Sequence, residues 1–171
     1  MTVTITQKKP GVSILKTFKQ LVDEALARGV GEIFPWDLEE LLEKGQNLLL
    51  LDIREIDEYN AGHIKDSLHV PRGLLESACD YGYAETVPEL AAARDKKIVV
   101  ICRSGNRSVL AAEIMSDMGY KDVLSLKTGI RGWNDNESPL YDSDDKEVDI
   151  DEMEVILSPP VTPEQIAPKD S

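Results

Sequence analysis

Cys102 stands where an apolar segment gives way to a short polar loop. The surrounding residues are Val99-Val100-Ile101-Cys102-Arg103-Ser104-Gly105-Asn106-Arg107-Ser108. A buried strand that ends at Cys102 and is followed by a helix would place the thiol at the carboxyl end of a sheet, where open α/β sheets bind ligands. Backbone N–H groups of the loop and of the helix start can converge there on one anion. Gly105 allows the loop to turn because it lacks a Cβ atom.

Two arginines near Cys102 indicate a reactive thiolate and an anionic substrate. Arg103 and Arg107 place two permanent cations within five residues of Cys102. An electropositive loop favours the thiolate, which is the nucleophilic form of a cysteine, and the planar guanidinium fork suits oxyanions. The segment therefore predicts nucleophilic attack by a thiolate on an anionic substrate.

The segments around the loop alternate between helical and strand-like patterns. Apolar residues at helical spacing predict helices, and short aliphatic or β-branched runs predict buried strands. The predicted helices are residues 13–29, 35–44, 85–94, 107–118 and a short one within 128–134, and the predicted strands are 48–53, 68–70, 97–102 and 122–126. This alternation is typical of an α/β domain with a mainly parallel sheet.

Composition and charge disfavour several classes of function. The chain has 171 residues and a formal net charge of −13, which argues against nucleic-acid binding because phosphate backbones require a basic surface. The longest purely aliphatic run, Leu48 to Leu51, is too short to cross a membrane, and residues 1–10 lack the apolar core of a secretory signal. Cys79 and Cys102 form no disulfide framework, so a reducing, cytoplasmic location is expected.

The composition also predicts three regions along the chain. They are a helical extension over residues 1–30, a central domain over 31–137 and an acidic, proline-containing tail over 138–171. From residue 134 onward, 12 acidic residues stand against two lysines, and this composition predicts disorder. Met153 to Leu157 is a small apolar patch within the tail that could dock against the rest of the chain.

The motifs taken together resemble those of the rhodanese family. The loop Cys102-Arg103-Ser104-Gly105-Asn106-Arg107-Ser108 resembles the active-site loop of that family. The preceding motifs resemble its first half, namely Asp52-Ile53-Arg54, Glu58-Tyr59, Gly62-His63-Ile64 and Val70-Pro71-Arg72-Gly73. Thr128 to Trp133 is similar to the closing Gly-Gly-x-x-x-Trp element, with Thr128 where a glycine is more usual. The resemblance covers residues 31 to 136 in the expected order.

The resemblance implies a fold, an activity and a set of site residues. The implied fold is α/β, a rhodanese-like central parallel β-sheet flanked by helices on both faces. The implied activity is thiosulfate sulfurtransferase, with a persulfide on Cys102, thiosulfate or a persulfide as donor, and a thiol or cyanide as acceptor. The implied substrate-binding residues are Arg103, Ser104, Gly105, Asn106, Arg107 and, at the rim, Arg72, and the implied structural supports are Asp52, Arg54, Glu58 and His63. No metal or organic cofactor is implied.

Two other classes of function stay open at this stage. Cell-cycle dual-specificity phosphatases share the architecture, but their signature has five residues between Cys and Arg, whereas four separate Cys102 from Arg107. A non-catalytic interaction module is the second alternative, and the two extensions could serve a sulfur-relay partner protein. Within sulfur transfer, the arginines favour thiosulfate or a protein persulfide over mercaptopyruvate, because mercaptopyruvate enzymes of the family carry neutral residues there.

Overall fold

The computed structural model describes residues 15–168. Its centre is a sheet of five parallel strands in the order β1-β5-β4-β2-β3. The strand bounds are β1 Gly31–Ile33, β2 Leu48–Asp52, β3 Leu68–His69, β4 Lys97–Ile101 and β5 Asp122–Leu126. The chain therefore moves toward one edge of the sheet after β2 and toward the other edge after β4.

The central strand forms because its residues are buried on both faces. From Ile98 to Ile101 every side chain of β4 is fully buried, and β4 pairs along its length with β2 on one side and β5 on the other. Continuous β-branched, apolar residues suit a strand covered on both faces. The predicted strand at 97–102 is thus present, and it delivers Cys102 to the carboxyl edge of the sheet.

Helices cover both faces of the sheet, as expected for this fold. The helices are α1 Phe18–Ala27, α2 Pro35–Glu43, α3 Ile56–Ala61, α4 Leu75–Ala78, α5 Pro88–Ala91, α6 Asn106–Asp117, α7 Gly129–Asp135 and α8 Ile150–Leu157. One apolar core joins α4, α5 and α6 to one face of the sheet. A second core joins α2, α7 and α8 to the other face. Helix α1 contributes to neither of these two cores and packs on α6.

Several elements differ in extent from the sequence prediction. The predicted helix at 85–94 is only the single turn α5, because Pro88 begins it and the chain turns back through Ala93 and Lys96 to reach β4. The first residues of the predicted helix at 13–29, Ser13 and Ile14, lie outside the described residues, and α1 begins after Thr17, whose hydroxyl caps it. Strand β1 and helix α3 were not predicted.

The predicted tail departs from its expected disorder over residues 138–157. Tyr141 forms an antiparallel bridge with His63, and α8 begins at an N-cap in which Asp149 accepts two backbone N–H groups. Met153 and Leu157, one helical turn apart, are buried against the second core. Burial of this apolar patch orders the segment despite its acidic composition. The division into three regions remains a prediction.

No helix within residues 15–168 is both long and apolar enough to cross a membrane.

Candidate active site

Cys102 lies at the centre of the carboxyl edge of the sheet, where the direction of chain progression reverses. Strand β2 ends beside β4, and Ile53 N donates to Ile101 O at 2.9 Å, so the segments after both strands begin side by side. Parallel sheets open a crevice at such a reversal point because the following connections diverge to opposite sides. The residues that follow β2 and β4 therefore form the walls of one site.

The Cys102 sulfur accepts hydrogen bonds from the loop that follows it. Sγ lies 3.1 Å from Gly105 N and 3.4 Å from Ser108 N, and Ser108 Oγ lies 3.3 Å from Sγ. Backbone N–H groups aimed at a sulfur stabilise negative charge on it. Ser108 Oγ in turn lies 2.7 Å from Ser125 Oγ on β5. The sequence alone assigned no role to Ser108 or Ser125. Ser108 directly follows the predicted cradle of residues 103–107, and this position is the signal that could have suggested its role.

The backbone of the loop is held by close contacts that exclude larger side chains. Gly105 has φ +89°, and a Cβ there would lie 3.0 Å from Thr128 N. A Cβ on Gly129 would lie 2.4 Å from Cys102 O. This close approach lets Ile130 N donate to Cys102 O at 2.9 Å. The start of α7 thus holds the carbonyl of Cys102, while the N–H groups of Gly105 and Ser108 face the sulfur.

Thr128, which departs from the usual glycine of the family motif, adopts a glycine-like conformation. Its φ is +64°, a region that β-branched residues rarely occupy. Its hydroxyl fills the space where a Cβ on Gly132 would lie. The threonine is therefore accommodated by the glycine four residues later.

Arg107 forms a bidentate ion pair with Glu58, which lies on the opposite wall of the site. Nη1 lies 2.9 Å from Oε2 and Nη2 lies 2.7 Å from Oε1. Partial burial raises the pKa of Glu58, but the hydrogen bonds from Arg107 and from Glu55 N outweigh burial and leave that pKa below its ordinary value. The hydrogen bonds to Glu58 likewise raise the pKa of Arg107. The Arg107 charge beside Cys102 is thus permanent but largely neutralised.

Arg54 and Asp52 form a buried ion pair behind that wall. Arg54 is 1% exposed and Asp52 is 0% exposed, with Nη2 2.7 Å from Oδ2 and Nε 3.0 Å from Oδ1. The guanidinium also donates to Glu58 O at 3.1 Å and Gly62 O at 2.8 Å. Arg54 therefore ties the end of β2 to the middle of α3, at Glu58, and to its C-cap, Gly62.

His63 lies within the same wall, away from the sulfur. Its ring stacks on Tyr59 with centroids 3.9 Å apart, and Nδ1 lies 3.0 Å from Tyr59 O. His69 stacks near the same tyrosine at 4.6 Å. Asp52, Arg54 and Glu58 are thus linked by hydrogen bonds, and His63 contacts Tyr59, the residue that follows Glu58 in α3.

The remaining predicted residues are partly or fully exposed to solvent. Arg72 follows β3 and pairs with Glu76, Nη1 to Oε1 2.9 Å. Asn106 is exposed at the start of α6, while Arg103 is partly exposed. Ser104 lines a cavity of about 270 Å³ together with Thr128, Arg131, Gly132 and Asp135. The structure gathers the loop and its supports tightly, but it leaves Arg72 bound to its own helix neighbour.

Cys79 is not part of this site. It lies after α4 in the first core, fully buried, and burial raises the pKa of its thiol. Over residues 15–168, no group of three or more His, Cys, Asp and Glu side chains is placed to hold a metal ion.

Comparison with known proteins places this chain in a family. The model of the Rhodanese-like domain matches residues 35–136. A sulfurtransferase of Allochromatium vinosum is 32% identical over 111 residues, which are 65% of this chain and 94% of that protein. The Bacillus subtilis protein YrkF is 33% identical over 107 residues, or 63% of this chain, and the chain spans only 52% of YrkF. A solved structure from Rhodopseudomonas palustris, RPA3614, has a TM-score of 0.68 at 31% identity and covers 77% of this chain and 98% of its own.

Proposed function

The chain belongs to the rhodanese-like family, and from this premise we propose that it is a sulfurtransferase that carries sulfane sulfur as a persulfide on Cys102. The observation that carries the proposal is the convergence of Gly105 N, Ser108 N and Ser108 Oγ on Cys102 Sγ. Donors in this arrangement stabilise an anionic sulfur before and after transfer. The Allochromatium vinosum relative, named a sulfurtransferase, supports this activity.

The first half-reaction loads the cysteine. The Cys102 thiolate attacks the outer sulfur of thiosulfate, a new S–S bond forms, and the bond to the sulfonate sulfur breaks so that sulfite leaves with the electron pair. The terminal sulfur of the persulfide then lies in the cradle of residues 103–107, with Ser104, Gly105 and Asn106 supplying its backbone. Asp52, Arg54, Glu58 and His63 support the opposite wall, and Arg72 lies at the rim.

The second half-reaction transfers the sulfur from Cys102 to an acceptor. A thiolate or cyanide attacks the terminal sulfur, the S–S bond to Cys102 breaks, and Cys102 regains its thiolate. The donor product leaves before the acceptor binds, so we expect ping-pong kinetics. Cyanide serves in the test tube, and a thiol serves as the physiological acceptor class.

Replacing Arg107 with alanine is expected to raise the thiosulfate KM by about tenfold or more. The variant removes a cation beside Cys102 and leaves Glu58 as an unpaired anion at 29% exposure, and both changes disfavour a dianionic donor. Steady-state kinetics with cyanide as acceptor give the value. An unchanged KM would contradict the role of Arg107.

A second substitution separates the two contributions to that effect. Glu58→Gln in the Arg107→Ala background removes the orphaned negative charge while keeping a side chain of similar size. We expect it to restore part of the thiosulfate affinity. If the double variant binds thiosulfate no better than Arg107→Ala alone, repulsion by Glu58 makes no contribution.

Phosphatase activity is the alternative that a structural relative raises. The Rhodopseudomonas palustris protein has been described as a possible tyrosine phosphatase. In this chain Arg107 follows Cys102 after four residues and is bound to Glu58 through both terminal nitrogens. The phosphatase signature has five residues between Cys and Arg, so the loop of this chain is one residue shorter than a phosphate-binding loop. We therefore favour sulfur transfer, and turnover of an aryl phosphate would reverse this choice.

The decisive experiment is the intact mass of the protein after incubation with thiosulfate, followed by peptide mapping. We expect a gain of one sulfur atom per chain, located on Cys102 and reversed by cyanide. A Cys79→Ala variant should gain the same mass, because burial raises the pKa of the Cys79 thiol and so disfavours its reactive thiolate. No gain with thiosulfate, mercaptopyruvate or a small persulfide would favour a non-catalytic interaction module instead.

A further inference from the structure

Two aromatic side chains remain exposed at the edge of the sheet that holds Cys102. Phe34 and Trp36 stack with ring centroids 4.5 Å apart and an interplanar angle of 11°, although they are 37% and 54% exposed. They follow β1, which like β4 pairs in parallel with β5. The carboxyl ends of these strands share one edge, so the aromatic pair lies on the same face of the molecule as the cysteine loop.

A cavity beside that loop lies close to Pro35, the residue between the two aromatic side chains. It is the cavity of about 270 Å³ that Ser104 and Arg131 line. Pro35, between the two aromatic residues, borders it, since its Cγ lies 3.3 Å from the Cβ position of Gly132, another lining residue. Phe34 and Trp36 thus flank a proline that lies beside the cavity of Ser104 and Arg131, and we call these four residues and the cavity the acceptor face.

Guanidinium groups are concentrated at this edge of an acidic chain. Five of the seven arginines follow the carboxyl ends of β2 to β5. Three of them bind carboxylates, namely Arg54, Arg72 and Arg107. Arg103 and Arg131 form no ion pair with any residue between 15 and 168, and this includes Asp135, which lines the same cavity as Arg131. Two guanidinium groups without an ion pair in this range therefore follow the carboxyl ends of β4 and β5, at the same edge of the sheet as the exposed aromatic pair.

We propose that the acceptor face binds an acidic segment of a protein that receives the sulfur, and that this segment presents a cysteine to the Cys102 persulfide. The proposal rests on the proposed sulfurtransferase function. Thiosulfate and cyanide are too small to need the aromatic pair, so the surface extends beyond what they use. Tryptophan and arginine are the residue types that dominate binding at protein interfaces, and the arginines match carboxylates in geometry and charge.

The net charge of the chain limits how acidic the surface of the acceptor protein can be. A net charge of −13 repels a broadly acidic surface, whereas a short segment that reaches Arg103 and Arg131 meets one acidic residue of the cavity wall, Asp135. In the transfer step, the acceptor thiolate attacks the terminal sulfur, the S–S bond to Cys102 breaks, and Cys102 leaves as a thiolate. The acceptor then carries the persulfide.

The test compares acceptors on protein that has been loaded with thiosulfate. The probes are a synthetic peptide with one cysteine flanked by leucine and glutamate residues, the same peptide with lysine in place of glutamate, coenzyme A and cyanide. We expect the glutamate peptide to have a KM at least about tenfold below that of the lysine peptide. Trp36→Ala and Arg131→Ala should each raise the glutamate-peptide KM about fivefold or more, the loss typical of an interface anchor, with cyanide turnover unchanged.

Two matched variants control for nonspecific effects. Tyr83 is 56% exposed and borders Met118 at the far end of α6, and Lys121 precedes β5 at the opposite edge of the sheet. Tyr83→Ala and Lys121→Ala should leave both KM values unchanged. Equal use of the two peptides, or a glutamate-peptide KM unaffected by Trp36→Ala and Arg131→Ala, would overturn the proposal. A response confined to coenzyme A would assign the face to a nucleotide thiol instead, while absent cyanide turnover in the wild type would overturn the sulfurtransferase function itself.

Discussion

Cys102→Ser is expected to reduce thiosulfate:cyanide sulfurtransferase activity to background. The alkoxide of serine is not formed near neutral pH, and an oxygen in place of Sγ cannot carry sulfane sulfur through a disulfide-type exchange. The N–H groups of Gly105 and Ser108 would remain in place around the hydroxyl. Activity is measured as thiocyanate formation, with the mass of the protein recorded in parallel.

The control for this variant is stability, because Cys102 is fully buried. Serine is nearly isosteric and keeps hydrogen-bond partners in Ser108 and the loop amides. We therefore expect an unfolding midpoint in urea close to that of the wild type. Thiocyanate formation that survives in a folded Cys102→Ser protein would refute the Cys102 persulfide and leave Cys79 as the candidate sulfur carrier.

Arg54→Met is expected to lower the free energy of unfolding by about 3–5 kcal/mol, the usual cost of removing one partner of a buried ion pair. Asp52 would be left with its charge at 0% exposure, keeping only the backbone N–H of residue 54 as a donor. The carbonyls of Glu58 and Gly62 would also lose their guanidinium donors. Because small domains are stable by only about 5–15 kcal/mol, urea unfolding should show a much lower midpoint.

Arg72→Met provides the matched comparison. Arg72 also pairs with a carboxylate, but the pair with Glu76 is 32% and 50% exposed, and such pairs contribute about 0–1 kcal/mol. Asp52→Asn combined with Arg54→Met should be less destabilising than the sum of the two single changes, since the orphaned charge is then absent. Equal losses for Arg54→Met and Arg72→Met would refute the role assigned to burial.

The loop chemistry was predictable because it is encoded locally. A β-branched run predicts a buried strand, and the glycine and the helix start follow within six residues of Cys102, so no distant contact is needed to orient the amides. The same holds for the parallel α/β architecture, which follows from alternating periodicities. Motif order then predicted Asp52, Arg54, Glu58 and His63 as supports, although the sequence did not reveal their hydrogen bonds.

Contacts between distant segments were decided by the tertiary structure. Strand β1 has three residues, too few for a periodic signal, and exists because it pairs with β5. Helix α8 forms in an acidic segment because Met153 and Leu157 find an apolar surface to cover.

The functional details follow the same division. The sequence by itself determined the family, because the motifs and their order along the chain are visible in it, and it predicted Cys102 as the nucleophile with an amide cradle, because that cradle depends on residues that are adjacent in the chain. Only the tertiary structure decided that Arg107 is held by Glu58, 49 residues away, that Ser125 supports Ser108, and that Phe34 and Trp36 share an edge with Cys102. Local patterns specify which face of an element is buried, but the partner that covers it depends on how the whole chain packs.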